Sequence, residues 1–302
     1  MGTLHTSRLG IRPWRNRADW QKFGDRHAAV NSDGLGAVSR CLRRRILETS
    51  HAARIPHLGS CLSCVDLLVY LYWDILEIDS ARPDAPDRDR FVLSKGHAAP
   101  ALFQVLAERG FYPQERLATF GVNGSVFHEH PPAPNYLPGV EAATGSLGHG
   151  MPMALGMALA ARMTGMSYRC YALVSDGECN EGTIWEAAML AAANEVDNLC
   201  VIIDFNGWQA TGRSREVMHL DPLEDKWRAF GWHVVTIDGH DFSAMAGAFE
   251  VCATIRGQPS VVIAHTVKGK GVSFMEDDNN WHYRTPDEDE LRLALEELQD
   301  HR

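Results

Sequence analysis

Hydrophobic positions in this chain first fall into register near residue 35. Leu35, Val38, Leu42 and Ile46 recur at helical spacing with arginines on the other side, which predicts an amphipathic helix over 35–53. A turn, Pro56-His57-Leu58-Gly59-Ser60, separates it from a second apolar helix reaching residue 75. Pro83 and Pro86 among many charges mark 79–89 as an exposed loop. A short strand is predicted at 91–94, with Lys95-Gly96-His97 at its end, then a helix at 98–109 and a Gly-, Pro- and His-rich loop at 121–138. From residue 150 the pattern becomes regular. Strands at 170–175, 199–204, 233–237 and 260–265 alternate with helices at 150–163, 181–194, 222–230 and 242–256, and an acidic helix follows residue 287. Such alternation predicts an α/β fold: a doubly wound, mostly parallel sheet with helices on both faces. Ligands of such sheets sit at the carboxyl ends of the strands. No internal repeat or low-complexity segment interrupts the pattern.

Charge narrows the class of partner. Of 302 residues 45% are hydrophobic, and the net charge of −10 argues against nucleic acid or an anionic membrane surface as the main partner. A local cationic pocket for a small phosphorylated ligand remains compatible with it. Residues 1–34 read as a polar N-terminal extension without the apolar core of a signal peptide, and 35–302 as one domain. No run approaches the ~18 consecutive apolar residues of a membrane helix, so a cytoplasmic protein is expected. The seven cysteines are expected to be reduced thiols. Cys61 and Cys64 form a C-x-x-C, but no second pair stands at zinc-finger spacing, and the pair opens an apolar run from Val65 to Leu71. The structural reading is therefore preferred.

The sharpest local signal is Ser175-Asp176-Gly177-Glu178-Cys179-Asn180-Glu181-Gly182, which ends one strand and opens a helix. Gly177 permits a tight turn and a close backbone approach. The helix start offers free N–H groups suited to a diphosphate. The next strand delivers Asn206 at its own end. Adjacent strands lie about 4.8 Å apart, so Asp176 and Asn206 can meet on one ion. A carboxylate, an amide oxygen and diphosphate oxygens form a magnesium or calcium ligand set. A lone Asp-Gly means little, since turns use it constantly; Asp-Gly and Asn at successive strand ends is far more specific. The pair resembles the thiamine-diphosphate signature, normally Gly-Asp-Gly followed by Asn, with Ser175 in place of the leading glycine. The resemblance implies that the carbonyl of Trp208, two residues after the Asn, also binds the metal.

Histidine is the proton carrier of neutral pH, and five of the fourteen stand in suggestive places. Their order resembles the transketolase family: His57 in a Pro-His-Leu-Gly turn, His97 in Leu-Ser-Lys-Gly-His, His130 before Pro131, His149 within Thr144 to Gly150, and His282 after Lys268-Gly269-Lys270-Gly271. The resemblance runs from about residue 35 to 290. It implies that His97 and His282 contact the cofactor diphosphate or the reacting centre. His57 and His130 would handle protons and hydrogen bonds on the substrate, with His128 a rival to His130. Gly145 and Leu147 would support the aminopyrimidine, and Glu181 would join a carboxylate network reaching a neighbouring subunit. His149 would lie behind the site, and His219, His233, His240 and His265 would be structural or solvated.

In that family the cofactor is activated by a glutamate on a pyrimidine-binding domain that follows this one. After 259–272, one loop and one helix remain, which leaves no room for such a domain. The resemblance therefore implies a second subunit carrying the pyrimidine-binding and C-terminal domains, an α2β2 assembly, and ketol transfer between sugar or sugar-phosphate substrates. Two alternatives are an E1 α-like subunit of a 2-oxo-acid dehydrogenase and a non-catalytic cofactor-binding partner. The first is disfavoured by the His57, His97 and 144–150 features, and the second by the full set of ligand positions.

Overall fold

The computed structural model describes residues 32–299. The expected extension lies outside these residues, except that helix α1 (Ser32–Ala53) begins three residues before the predicted start. Five strands form one sheet in the order β1-β2-β3-β5-β4, every neighbouring pair parallel. They are β1 (Arg90–Leu93), β2 (Cys170–Ser175), β3 (Leu199–Phe205), β4 (His233–Asp238) and β5 (Ser260–His265). The central strands are nearly continuous apolar runs because helices cover both faces. β2 shows the division of labour: Tyr171 and Leu173 enter one core, Ala172 and Val174 the other. The first core is closed by α1, α2 (Leu58–Ser63), α3 (Val65–Tyr70), α4 (Ala99–Glu108) and α9 (Phe242–Thr254). The second is closed by α5 (Gly150–Thr164), α6 (Gly182–Ala193) and α8 (Leu223–Ala229). Two short elements complete the fold, α7 (Ser214–Val217) and α10 (Glu288–Glu297), the latter started by an Asp287/Glu290 capping box.

Two predicted elements differ. The second apolar helix is broken at Cys64 into α2 and α3 and finishes in a π-helical turn, Leu71–Ile75. β1 stops at Leu93 rather than Ser94, because the backbone N–H groups of Ser94 and Lys95 both turn onto Leu173 O and leave the ladder. Among the described residues no helix is long and apolar enough to cross a membrane.

α5 and α6 lie side by side over the sheet, packing Ala154, Ala158, Ala187, Ala188 and Ala191 inward. Their outward stripes are largely apolar, with exposed Glu186 among them on α6. Met153, Gly156, Ala160 and Met163 on α5, and Met189, Leu190 and Ala193 on α6, face solvent. Met163 is 85% and Met189 55% exposed.

Candidate diphosphate and metal site

Asp176 follows the last residue of β2, and the register sets Ser175 opposite Asp204 of β3. Wholly buried, Asp176 is gripped by the backbone. Its Oδ1 accepts from Gly177 N (2.9 Å); its Oδ2 accepts from Gly207 N (3.0 Å) and Ser214 Oγ (2.6 Å). The two strand ends are thus tied through one carboxylate. Asn206 donates its amide N–H to Asp204 Oδ2 (3.3 Å) and Ser63 Oγ (3.4 Å), and its Oδ1 accepts from Trp208 N (3.1 Å). Each Oδ1 has one N–H donor and retains a second lone pair. Burial pushes the Asp176 carboxyl up to about 6, against the hydrogen bond from Ser214. Among the described residues no ion pair involves Asp176. A buried carboxylate without a cation is costly, and hard oxygens beside an open lone pair suit Mg2+ or Ca2+. The donor set therefore fits the ion that the sequence implies.

Ser175 has work of its own: its Oγ accepts from Glu178 N at 3.2 Å and caps the turn after Asp176. In the same turn Gly177 lies close to Gln209, whose Cγ would sit 3.0 Å from an added Cβ.

Beneath this site lies a charge network that motif reading missed. Lys95 is fully buried; its Nζ bonds Ser60 O (2.9 Å) and pairs with Asp204. Asp204 also accepts from Ser63 Oγ (2.6 Å) and Thr266 Oγ1. Burial alone would neutralise both partners, yet their mutual attraction wins: Lys95 is held above the usual lysine range and Asp204 below the usual carboxylate range. Lys268, also buried, sends Nζ to Asn279 Oδ1 (2.7 Å) and to His282 Nδ1 (3.3 Å). Burial, then Lys95, brings it down to about 8. The sequence shows both lysines beside glycines at strand ends, but nothing in it shows that they are buried.

Three of the predicted histidines form a triangle. Ring centroids stand 4.8 Å apart for His57–His282, 5.5 Å for His57–His97 and 5.8 Å for His97–His282. His57 takes a left-handed backbone (φ 71), rare for a residue with a Cβ, and its N–H donates to His282 O (3.1 Å). Its Nδ1 is buried with no partner among the described residues. Burial lowers His57 below the usual imidazole range, partly offset by Glu129. Burial, then Lys95, drives His97 well below it, and burial, then Lys268, takes His282 to about 3. The triangle is therefore three neutral rings at pH 7. His130 is half-buried over Gly145, where an added Cβ would lie 2.9 Å from His130 Cδ2; His128 is exposed. Of the two, it is His130 that packs on the 144–150 turn.

The 144–150 turn is pinned to the same strand ends. Thr144 Oγ1 donates to Leu93 O (2.7 Å), and Gly148 N donates to Glu178 Oε1 (2.8 Å). Gly145 is exposed and Leu147 half-buried; His149 is exposed, its ring bonded to Leu147 O (3.0 Å). Glu181 is exposed, its Cβ close behind Gly148. His240 is structural: Nδ1 bonds Asp66 Oδ2 (2.7 Å) and Nε2 accepts from Val267 N (2.9 Å). Cys61 and Cys64 are buried free thiols, and burial pushes Cys64 up to about 12, which disfavours the thiolate that redox exchange or metal ligation requires.

A parallel α/β sheet with an oxygen-ligand corner, two buried lysines and neutral histidines at its strand ends defines a domain that binds a phosphorylated cofactor. Residues 37–299 match the family described as transketolase, thiamine diphosphate binding domain. The chain is 40% identical over 256 residues to one of the subunits of apulose-4-phosphate transketolase from Phocaeicola vulgatus, covering 85% of this chain and 90% of that protein. It is 41% identical over 258 residues to the SqwG subunit of 6-deoxy-6-sulfo-D-fructose transketolase from a Clostridium strain, covering 85% and 94%. Among solved structures, transketolase from Leishmania mexicana superposes with a TM-score of 0.80 at 27% identity, covering 86% of this chain and 40% of that one. The chain belongs to the transketolase family. It spans about two fifths of the length of that solved enzyme, and nearly the whole length of the two relatives called subunits. The 2-oxo-acid dehydrogenase alternative gains no support from these relatives.

Proposed function

We propose that this chain is the diphosphate- and metal-binding subunit of a two-component, cytoplasmic transketolase that moves a two-carbon ketol unit from a ketose donor to an aldehyde acceptor. The observation that carries it is the meeting of a buried carboxylate, without an ion pair among the described residues, and an oriented amide at the β2 and β3 ends, beside three neutral histidines. In this reading Asp176, Asn206 and the Trp208 carbonyl hold Mg2+ or Ca2+. Gly177, His97 and His282 receive the diphosphate, with Lys95 and Lys268 supplying positive potential. Gly145 and Leu147 lie under the aminopyrimidine. When bound, thiamine diphosphate supplies the electron sink for the two-carbon unit. His57, which burial keeps neutral and whose Nδ1 has no partner among the described residues, and half-buried His130 hold and pass protons on the substrate hydroxyls and carbonyl.

A second chain completes the site. It would bring the pyrimidine-binding and C-terminal domains, and two copies of each chain would assemble as α2β2. The names of the two relatives as subunits support this. So does the apolar stripe on α5 and α6: both helices start at the cofactor corner, so a chain that closes that corner also covers the stripe. Glu181, exposed at the start of α6, would meet the partner's carboxylates. Sugars or sugar phosphates are the substrates. The test is co-expression with the protein encoded by the neighbouring gene, followed by cofactor binding and ketose cleavage in the presence of thiamine diphosphate and Mg2+. Asp176→Ala is expected to abolish metal-dependent cofactor binding. A folded, cofactor-loaded complex that cleaves no ketose would show the reading to be wrong.

A further inference from the structure

The loop after β3 has two sides. Its inner side faces Asp176: Gly207 N and Ser214 Oγ donate to that carboxylate, and Asn206 stands beside it. Its outer side meets the segment 277–283, which ends in the His282 region. Trp208 Nε1 donates to Asp277 Oδ1 at 2.8 Å. Arg213 forks onto both oxygens of Asp277, at 2.5 and 2.6 Å, while its guanidinium lies 3.8 Å over the Trp208 ring. Trp208 and Arg213 also pair through an isolated antiparallel bridge. A second fastening lies next to the first: Asn279 Nδ2 (3.0 Å) and the Tyr283 hydroxyl (2.9 Å) both donate to Ala210 O.

The segment's other contacts lead back to the site. Asp277 N donates to Lys268 O at 2.8 Å, with Asp277 itself in the left-handed region (φ 60). Asn279 Oδ1 accepts from Lys268 Nζ, which also reaches His282. One set of contacts thus joins the loop that holds the metal carboxylate to the segment that holds Lys268 and His282.

An exposed ion pair is ordinarily worth little. This one differs in three ways. It is bidentate, which fixes the plane of the guanidinium. It is stacked on an indole, which fixes the height of that plane. The indole N–H shares the same carboxylate, so all three side chains have one mutual arrangement. Lysine at position 213 could neutralise Asp277 but could reproduce neither fork nor stack.

Resting on the functional reading above, we propose that the Trp208–Arg213–Asp277 clasp is a positioning device that couples seating of the metal loop to seating of the Lys268–His282 segment. None of the three side chains need touch substrate; they act through the backbone of residue 208 and through the neighbours of Asp277.

The test uses the co-expressed complex. Mg2+ affinity is measured by calorimetry at saturating thiamine diphosphate, and amide hydrogen exchange is followed with and without both ligands. In the wild type, ligand addition is expected to protect 206–214 and 277–283 together. Asp277→Asn and Arg213→Lys are each expected to weaken Mg2+ binding at least fivefold and to leave 277–283 unprotected while 206–214 still responds. The double variant should be no weaker than either single one. Melting temperature without ligands should be unchanged in Arg213→Lys, which separates positioning from simple stability. Variants that bind Mg2+ as the wild type does, or protect both segments equally, overturn the clasp alone. A wild-type complex that takes up neither Mg2+ nor cofactor overturns the clasp and the functional reading together.

Discussion

His97 lies among Lys95, His57 and His282, and burial keeps its imidazole neutral far below the usual range. In the unfolded chain it would titrate near ~6.5. The unfolded state therefore takes up a proton that the folded state refuses. Its contribution is present above about pH 6.5 and is lost as pH falls toward the folded value. Asp89 and Asp176 work in the opposite sense: burial pushes them up to about 7 and about 6, so their contributions are present in acid and lost as pH rises through those values. The overall pH curve is then a shallow sum, and a comparison of variants isolates one ring. His97→Gln is expected to hold its urea midpoint better than the wild type between pH 7.5 and 5; an identical decline in both would show that His97 is not held neutral. Residue order made it readable that Asp176 and Asn206 stand at neighbouring strand ends, because both lie in short motifs that end a strand. Lys95, Asp204 and Lys268 were not assigned roles, because a buried charge is defined by what folds over it.

Strands β2 and β5 were readable to the residue because both faces are covered and the apolar runs end where cover ends. The break at Cys64 was not, since no glycine or proline between Ser60 and Tyr70 marks the place where a helix axis turns. The start of α5 shows how tightly elements are set. An added Cβ on Gly150 would lie 2.5 Å from both Cα and Oγ of Ser94, and that hydroxyl already caps Met151 N at 3.1 Å. Gly150→Ala must push α5 away from β1. The expected loss is about 1–3 kcal/mol in urea denaturation, the usual range for overpacking. Gly247→Ala in α9 meets nothing within 4 Å and should instead gain roughly 0.5–1 kcal/mol from helix propensity. Equal effects from the two substitutions would rule out the steric account.

At the scale of the molecule, two cores cover the sheet and one outer face is left apolar. Monomeric proteins seldom expose a contiguous apolar patch of more than a few hundred Å². Met163, Met189 and Leu190 are exposed on helices that carry the cofactor corner at their starts. Leu190→Glu is therefore expected to leave the isolated chain folded, with unchanged circular dichroism and melting temperature, and to abolish co-elution with the partner on gel filtration. Co-elution at wild-type level would remove this face from the interface. A partner subunit was readable only through the resemblance to longer enzymes; the docking place proposed for it rests on which side of two helices the sheet leaves uncovered.

That bare face has a consequence for production inside a cell. Copies made in excess of the partner would display methionine and leucine side chains to one another and to chaperones and proteases. If the partner covers that face, solubility of the pool would depend on matched synthesis of the two chains, and a surplus of this one would self-associate at high concentration.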